Sequence, residues 1–134
     1  SAARSGLLAL RQGGDASAQE SALRGLLAHD AQQPAVHFAL GNLLSTQGRW
    51  NEAQQAYFNA LAGDPVQPDY AFNLAVALDR MRQPQLARQF YRKALELSDQ
   101  APAHFDRAAV QSRMDELASP ARAEKTAPVP APQN

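Results

Sequence analysis

Apolar residues in the middle of the chain recur at the spacing of amphipathic helices. One such helix begins at Pro34 and ends before Gly48. Its apolar face is formed by Phe38, Leu40, Leu43 and Leu44. Apolar residues three or four positions apart indicate a helix that buries one side. No segment alternates with a period of two for more than a few residues, so the pattern predicts an all-α fold.

The same pattern predicts further helices on both sides. A second helix runs from about Trp50 to the breaker Gly63-Asp64-Pro65, and an earlier one covers 17–29. Two more are expected over roughly 68–81 and 84–98. Because the connections are short, neighbouring helices must run antiparallel.

The chain repeats itself. Pro34, Pro68 and Pro102 are each 34 residues apart, and each suits the first turn of a helix. Residues 34–67 align with 68–101 without gaps. The aligned identities include Phe38 with Phe72, Leu40 with Leu74, Leu44 with Leu78, Ala53 with Ala87, Tyr57 with Tyr91 and Ala60 with Ala94. A fixed period of this length is typical of stacked helical repeats.

Small and large residues share this register. Gly41, Ala75 and Ala109 recur on the first helix of each unit, which indicates where two helices come closest. Tyr57 and Tyr91 are the bulky residues expected to fill the space between successive pairs.

These positions resemble the tetratricopeptide repeat family. Its pattern is read in residues 34–67 as His37, Leu40-Gly41, Leu44, Ala53, Tyr57, Ala60 and Pro65. In residues 68–101 it is read as Ala71, Leu74-Ala75, Leu78, Ala87, Tyr91 and Ala94, with Asp99 where proline is usual. The resemblance implies a right-handed α-solenoid of antiparallel helix pairs.

The flanking segments complete the predicted organisation. Residues 1–33 form a degenerate repeat, whose first half near 2–12 fits the pattern poorly, and 102–118 form a capping helix with a wetter outer face. Residues 119–134 are rich in proline and alanine and are predicted to be a disordered tail. The chain begins almost inside a helical pattern, so we expect a fragment of a longer protein, and a membrane anchor upstream would be consistent with this.

Composition limits the partners. The 13 basic and 13 acidic residues give a net charge of zero, which disfavours nucleic acid and anionic membranes. No apolar run is long enough to span a membrane. The absence of cysteine excludes disulfides and fits either cytoplasm or periplasm, so the compartment stays open.

No catalytic or metal-binding pattern stands out. His29, His37 and His104 lack the spacing of three or four that two ligands on one helix face would need. No paired carboxylates and no phosphate-binding glycine loop occur. We therefore expect no enzyme activity, no metal and no cofactor.

The resemblance implies a concave groove lined by the first helix of each pair, in which relatives hold peptides. The residues expected to face it are Phe38, Asn42, Ser45, Phe72, Asn73, Val76, Arg80, Asp106, Arg107, Val110 and Arg113. By register, Asn42, Asn73 and Arg107 match the asparagines and arginine of chaperone-binding relatives that grip a terminal carboxylate. The lysine positions of that clamp hold Phe38 and Ala103, which argues against chaperone-tail recognition.

Two functions stay open. The first is an adaptor that binds a partner peptide or helix in the groove. The second is an assembly module that self-associates through its edges or convex face, since the ends of the stack leave apolar surface. A composition rich in Ala, Gln and Arg resembles that of GC-rich bacteria, where analogous modules serve pilus, secretion or envelope assembly.

Overall fold

Six α-helices and no strand make up the part of the chain that the computed structural model describes, residues 15–119 and 129–134. The helices are α1 (Asp15–His29), α2 (Pro34–Thr46), α3 (Trp50–Gly63), α4 (Pro68–Arg80), α5 (Pro84–Ser98) and α6 (Arg107–Leu117). The predicted helices of both central repeats are confirmed. The expected first half-repeat near 2–12 lies outside the described residues.

The helices pack as successive pairs. Helices α2 and α3 form one pair and α4 and α5 the next, while α3 also packs on α4 and α5 on α6. Tyr57 and Tyr91 are fully buried in this core, together with Ala53 and Ala87. Each pair covers the apolar face of its neighbour, so the stack is an α-solenoid.

Helix α1 contacts the rest of the stack through partly exposed residues. It has no buried residue, although Leu23 and Leu27 pack partly against the core. Arg49, at the start of α3, holds it by an ion pair with Glu20, with Nη1 and Oε1 2.7 Å apart. The hydrogen bond from Arg49 keeps the pKa of Glu20 below its usual value.

The capping helix starts later than predicted. Pro102 does not open it, because residues 102–106 are not helical and α6 begins at Arg107. The Asp106 side chain accepts hydrogen bonds from the backbone N–H groups of residues 108 and 109, which caps the helix. Phe105 is buried and stacks on Phe72 with ring centroids 4.8 Å apart, so this packing holds the segment out of the helix.

Gly41 marks the closest approach between α2 and α3. A Cβ atom there would lie 2.5 Å from Cε1 of Tyr57, and Ala75 in the equivalent position is fully buried. The third member of the predicted series, Ala109, is exposed instead. Within the described residues no helix follows α6, so nothing packs on that position.

The turns inside the two pairs have the same shape. Gly48 follows α2 with φ of +70°, and Arg82 follows α4 with φ of 59°. A left-handed conformation costs a non-glycine residue roughly 1–2 kcal/mol. Arg82 adopts it because the packing of α5 on α4 imposes the same turn that glycine allows in the first repeat.

The end of the chain departs from the predicted disorder. Residues 129–134 lie against the helices, where Val129 packs partly on the core and Gln133 is hydrogen-bonded to Asn73. The prediction of a disordered tail is therefore wrong for these six residues. The other predicted tail residues, 120–128, lie outside the described part.

The close approach at Gly41 gives a stability prediction. Gly41→Ala should lower the free energy of unfolding by about 1–2 kcal/mol, because overpacking against buried Tyr57 outweighs the helix-propensity gain of alanine. Gly25→Ala is the matched control on α1, where nothing lies within 4 Å of the added Cβ. It should raise stability by about 0.5–1 kcal/mol. Urea unfolding followed by circular dichroism measures both, and equal effects would contradict the packing.

Candidate functional site

A chain of hydrogen bonds leads from the core to the surface of α2 and α4. The Tyr57 hydroxyl donates to Oδ1 of Asn42 at 2.7 Å and lies 3.2 Å from Ser45 Oγ. Asn73 Nδ2 donates to the same Asn42 oxygen at 2.9 Å. Two donors thus fix the Asn42 amide, and Asn42 in turn fixes one hydrogen of Asn73.

Burial of Tyr57 maintains this arrangement. Desolvation raises the pKa of its hydroxyl to about 12, although hydrogen bonds with Ser45 and Asn73 act in the opposite direction. The hydroxyl therefore stays protonated over the physiological range and remains a donor to Asn42. A buried hydroxyl without such a partner would destabilise the fold.

The outer end of the network holds a main-chain segment. Asn73 Nδ2 donates to the backbone carbonyl oxygen of Gln133 at 2.5 Å. The backbone N–H of Gln133 donates back to Asn73 Oδ1 at 2.7 Å. One side-chain amide thus satisfies both polar main-chain groups of one residue, a contact that does not depend on that residue's side chain.

Aromatic rings flank the asparagines. Phe38 lies half-buried between Tyr70 and Tyr57, with ring centroids 4.6 Å and 5.8 Å away. Such distances suit favourable aromatic pairs. Tyr57 contacts Phe38 and donates to Asn42, so it links this ring to the two asparagines, and we call Phe38, Asn42 and Asn73 together the groove.

An open cleft adjoins the groove between α1 and α2, with a volume of about 500 Å³. It is lined by Gln19, Ala22, Leu23, Ala39, Asn42, Leu43, Thr46 and Asn134. Most of this lining is apolar, and Asn42 belongs to both the cleft and the hydrogen-bond network. Asn134 reaches the cleft from the chain end, so groove and cleft are continuous.

Three predicted groove residues are packing residues instead. Phe72, Val76 and Val110 are 2%, 0% and 1% exposed in the described structure. Phe72 is enclosed by Phe105 and Tyr91, and Val110 lies on the inner side of α6. They were predicted to face the groove but are buried while residues 129–134 are in place, as is Asn73, and no hydrogen bond or ring contact joins them to that segment in the described structure.

The predicted charged residues are engaged elsewhere. Arg113 is buried and forms a forked ion pair with Asp79, with Nη2–Oδ1 and Nε–Oδ2 distances of 2.7 Å and 2.8 Å. Arg107 pairs with Asp99 and Ser98 beside α5 rather than with the asparagines. The remaining two are Arg80, whose guanidinium lies 5.4 Å from the centroid of the Trp50 ring, and Asp106, the N-cap of α6.

The role of Asp79 was missed at the sequence level. Its Oδ2 accepts a hydrogen bond from the Tyr91 hydroxyl at 2.8 Å as well as from Arg113. Ser45, Asp79 and Arg113 are spaced by 34 residues, so the repeat register itself could have indicated a shared polar position. Tyr70 and Gln133 were also missed, and neither carries a local signal.

Two of the three histidines form hydrogen bonds within the described structure. The His104 ring is hydrogen-bonded to the Asp69 carboxylate, and His37 Nε2 lies 2.9 Å from the carbonyl oxygen of Ala31. Across residues 15–119 and 129–134, no three potential metal-ligating side chains come together. None of the helices in these ranges is long and apolar enough to cross a membrane.

The tetratricopeptide repeat model matches residues 38–102, which span both central helix pairs. The register of Gly41, Tyr57 and Tyr91 and the paired helices agree with this match. Residues 38–102 are therefore tetratricopeptide repeats, which confirms the resemblance read from the sequence for this part of the chain.

Known proteins from Escherichia coli, Shigella flexneri and Yersinia enterocolitica are similar to this chain in sequence or in fold. Protein HemY of Escherichia coli K12 is 37% identical over 79 residues, which cover 59% of this chain and 20% of HemY. HemY of Shigella flexneri gives the same figures, so the chain spans about a fifth of the length of these relatives. SycD, the type III secretion translocator chaperone of Yersinia enterocolitica, superposes with a TM-score of 0.71. The match covers 83% of this chain and 77% of SycD at 19% identity, a similarity of fold.

The buried ion pair gives a second stability prediction. Asp79→Ala should cost about 3–5 kcal/mol, because it removes the acceptor of the buried Tyr91 hydroxyl and the forked carboxylate partner of Arg113. Asp99→Ala is the matched control, since it removes an exposed partner of Arg107 and should cost less than about 1 kcal/mol. Urea unfolding of both variants tests this. A small effect for Asp79→Ala would mean that the pair does not hold α6 in solution.

The buried tyrosines predict instability at alkaline pH. Burial raises the pKa of Tyr57 to about 12 and that of Tyr91 further. Unfolded tyrosine loses its proton near pH 10, so above that pH the unfolded state is favoured increasingly. Each tyrosine should then lower the free energy of unfolding by about 1.4 kcal/mol per pH unit. Tyr57→Phe should remove its share of this slope between pH 10 and 12, and an unchanged slope would contradict the burial.

Proposed function

We propose that the chain is a non-enzymatic adaptor that binds an extended segment of a partner protein in the groove. A family of paired helical repeats without a catalytic constellation among the described residues supports a binding role. The supporting surface consists of Phe38 as an apolar contact and Asn42 and Asn73 as an oriented pair of amides.

One observation carries the proposal. Asn73 pairs with both main-chain groups of Gln133 at 2.5 Å and 2.7 Å, and Asn42 holds its amide in the orientation required. Every non-proline residue offers the same N–H and carbonyl groups. A partner segment in extended conformation can therefore form this contact in place of Gln133.

The proposed ligand is a peptide with little charge. Of the predicted cations, Arg113 and Arg107 are paired with Asp79 and Asp99, and Arg80 lies over Trp50. Groove contacts would then come from main-chain hydrogen bonds and apolar packing. Binding of this kind should depend only weakly on salt.

We place this adaptor in bacterial pilus, secretion or envelope assembly. SycD, which shares the fold, is a chaperone of a secretion translocator, and HemY shares the repeat sequence in enteric bacteria. The alternative is a self-associating module that docks through exposed apolar residues on its outer helices, such as Phe58 and Leu86. A monomeric mass by light scattering at high concentration would remove that alternative.

The groove is tested by one substitution. Asn73→Ala should lower the affinity for a partner peptide by roughly tenfold to a hundredfold, because two hydrogen bonds of about 0.5–1.5 kcal/mol each are lost. Asn59→Ala is the matched control, since this asparagine lies on α3, where its side chain accepts a hydrogen bond from Gln55. Its variant should bind as the native chain does.

Partners are captured from an extract of the source cells with the native chain and with both variants. Synthetic peptides that together cover the sequence of the captured protein are then prepared, and their affinities for each chain are measured by fluorescence anisotropy. Circular dichroism checks that each variant keeps its helices. Because residues 129–134 also contact Asn73, the comparison is made in a Gln133→Pro chain, which lacks their N–H donor to Asn73. Equal affinity in that chain with and without Asn73→Ala would refute binding in the groove.

A further inference from the structure

We propose that residues 129–134 are an intramolecular ligand that occupies the groove and competes with the partner, an inference that rests on the function proposed above. The sequence of this segment is Val-Pro-Ala-Pro-Gln-Asn. This sequence also identifies the class of ligand that the groove accepts. Such a ligand is an extended, uncharged segment in which a residue with a backbone N–H follows proline.

The contact has the geometry of a bound ligand. Asn73 is fully buried in the presence of the segment, and both of its amide atoms pair with the main chain of Gln133. Val129 packs partly on the core and Asn134 lines the cleft between α1 and α2. The segment therefore contacts the helices at its two ends as well as at Gln133.

Proline explains both the conformation and the register. Pro130 and Pro132 fix their own φ angles and favour extended conformations at Val129 and Ala131, so little conformational entropy is lost on binding. Neither proline has a backbone N–H to donate to Asn73. Gln133 follows Pro132 and has that N–H, so it can complete the paired contact.

Covalent attachment makes a weak ligand effective. Two groups joined by a short stretch of chain meet at an effective concentration of the order of millimolar. A six-residue segment with a dissociation constant of about 0.1 mM would then fill the groove about nine-tenths of the time. A competing peptide would bind about tenfold more weakly than to an open groove, because only the free fraction can accept it.

The adjoining cleft offers a partner an advantage over this internal ligand. The segment reaches the cleft through Asn134, whereas the lining includes the apolar side chains of Leu23, Ala39 and Leu43. A partner with an apolar residue at that position would bury surface that asparagine does not. Such a partner can displace residues 129–134 without any change in the helices.

Substitutions at Gln133 test the competition in the full chain. Gln133→Pro removes the N–H that donates to Asn73, whereas Gln133→Ala keeps it and is the matched control. The probe is a fluorescent synthetic peptide with the sequence of residues 129–134. Its dissociation constant should be about tenfold lower for Gln133→Pro than for the native chain, and unchanged for Gln133→Ala.

Nuclear magnetic resonance identifies the site directly. In the ¹⁵N-labelled chain, the side-chain amide signals of Asn73 and Asn42 should shift in Gln133→Pro and not in Gln133→Ala. Unlabelled peptide added to the Gln133→Pro chain should return them toward their native positions. These shifts should be independent of protein concentration, and a dependence on concentration would show pairing between two copies and overturn the intramolecular proposal.

The outcomes separate the two proposals. Equal peptide affinity for the native and Gln133→Pro chains would overturn the internal ligand. The adaptor function would survive that result if Asn73→Ala still weakens the captured partner. Conversely, the added peptide could restore the amide signals while Asn73→Ala leaves partner binding unchanged. That result would support the internal ligand and refute the groove as the partner site.

Discussion

The structure depends on burying one tyrosine in each helix pair and satisfying its hydroxyl. Tyr57 and Tyr91 are fully enclosed, which requires a small residue opposite, and Gly41 leaves no room for even one added carbon beside Tyr57. Each hydroxyl must also find a polar partner inside the stack, because a buried unpaired hydroxyl is costly. In the second repeat that partner is Asp79 on the preceding helix. In the first repeat it is Asn42, and Ser45, at the register position of Asp79, lies 3.2 Å from the Tyr57 hydroxyl.

The two repeats meet this requirement differently, and the difference creates the groove. Ser45 is neutral and leaves the Tyr57 hydroxyl free to donate to Asn42, so the network continues outward to Asn73 and to a main-chain ligand. Burying the charged Asp79 without Arg113 would destabilise the fold. The hydrogen bonds of the second repeat therefore connect Asp79 to Arg113 on α6. The network of Tyr57 therefore ends at Asn73 and the main chain of Gln133, while the network of Tyr91 attaches the final helix.

Much of this fold is predictable from local and periodic signals. Pro34, Pro68 and Pro84 begin helices as expected, since proline at a first turn needs no partner for its missing N–H. Pro102 misleads because stacking of Phe105 on Phe72, a contact between distant residues, overrides the local preference. The site is predicted in part: Asn42 and Asn73 do come together, but Arg113 is taken up by Asp79, 34 residues earlier. The contact of residues 129–134 with Asn73 could not be predicted, because a contact through main-chain atoms leaves no pattern in side chains.

Recognition through the main chain has a consequence for selectivity. The Asn73 contact is available to any residue with a free N–H, so it contributes affinity without choosing a sequence. Discrimination must then come from the positions on either side, where Val129 packs on the core and Asn134 meets an apolar cleft. An internal segment that uses the shared contact but places a polar residue at the cleft excludes weak ligands. It yields only to those that fill the cleft better, so occupancy by the chain's own end would convert a general peptide site into a selective one.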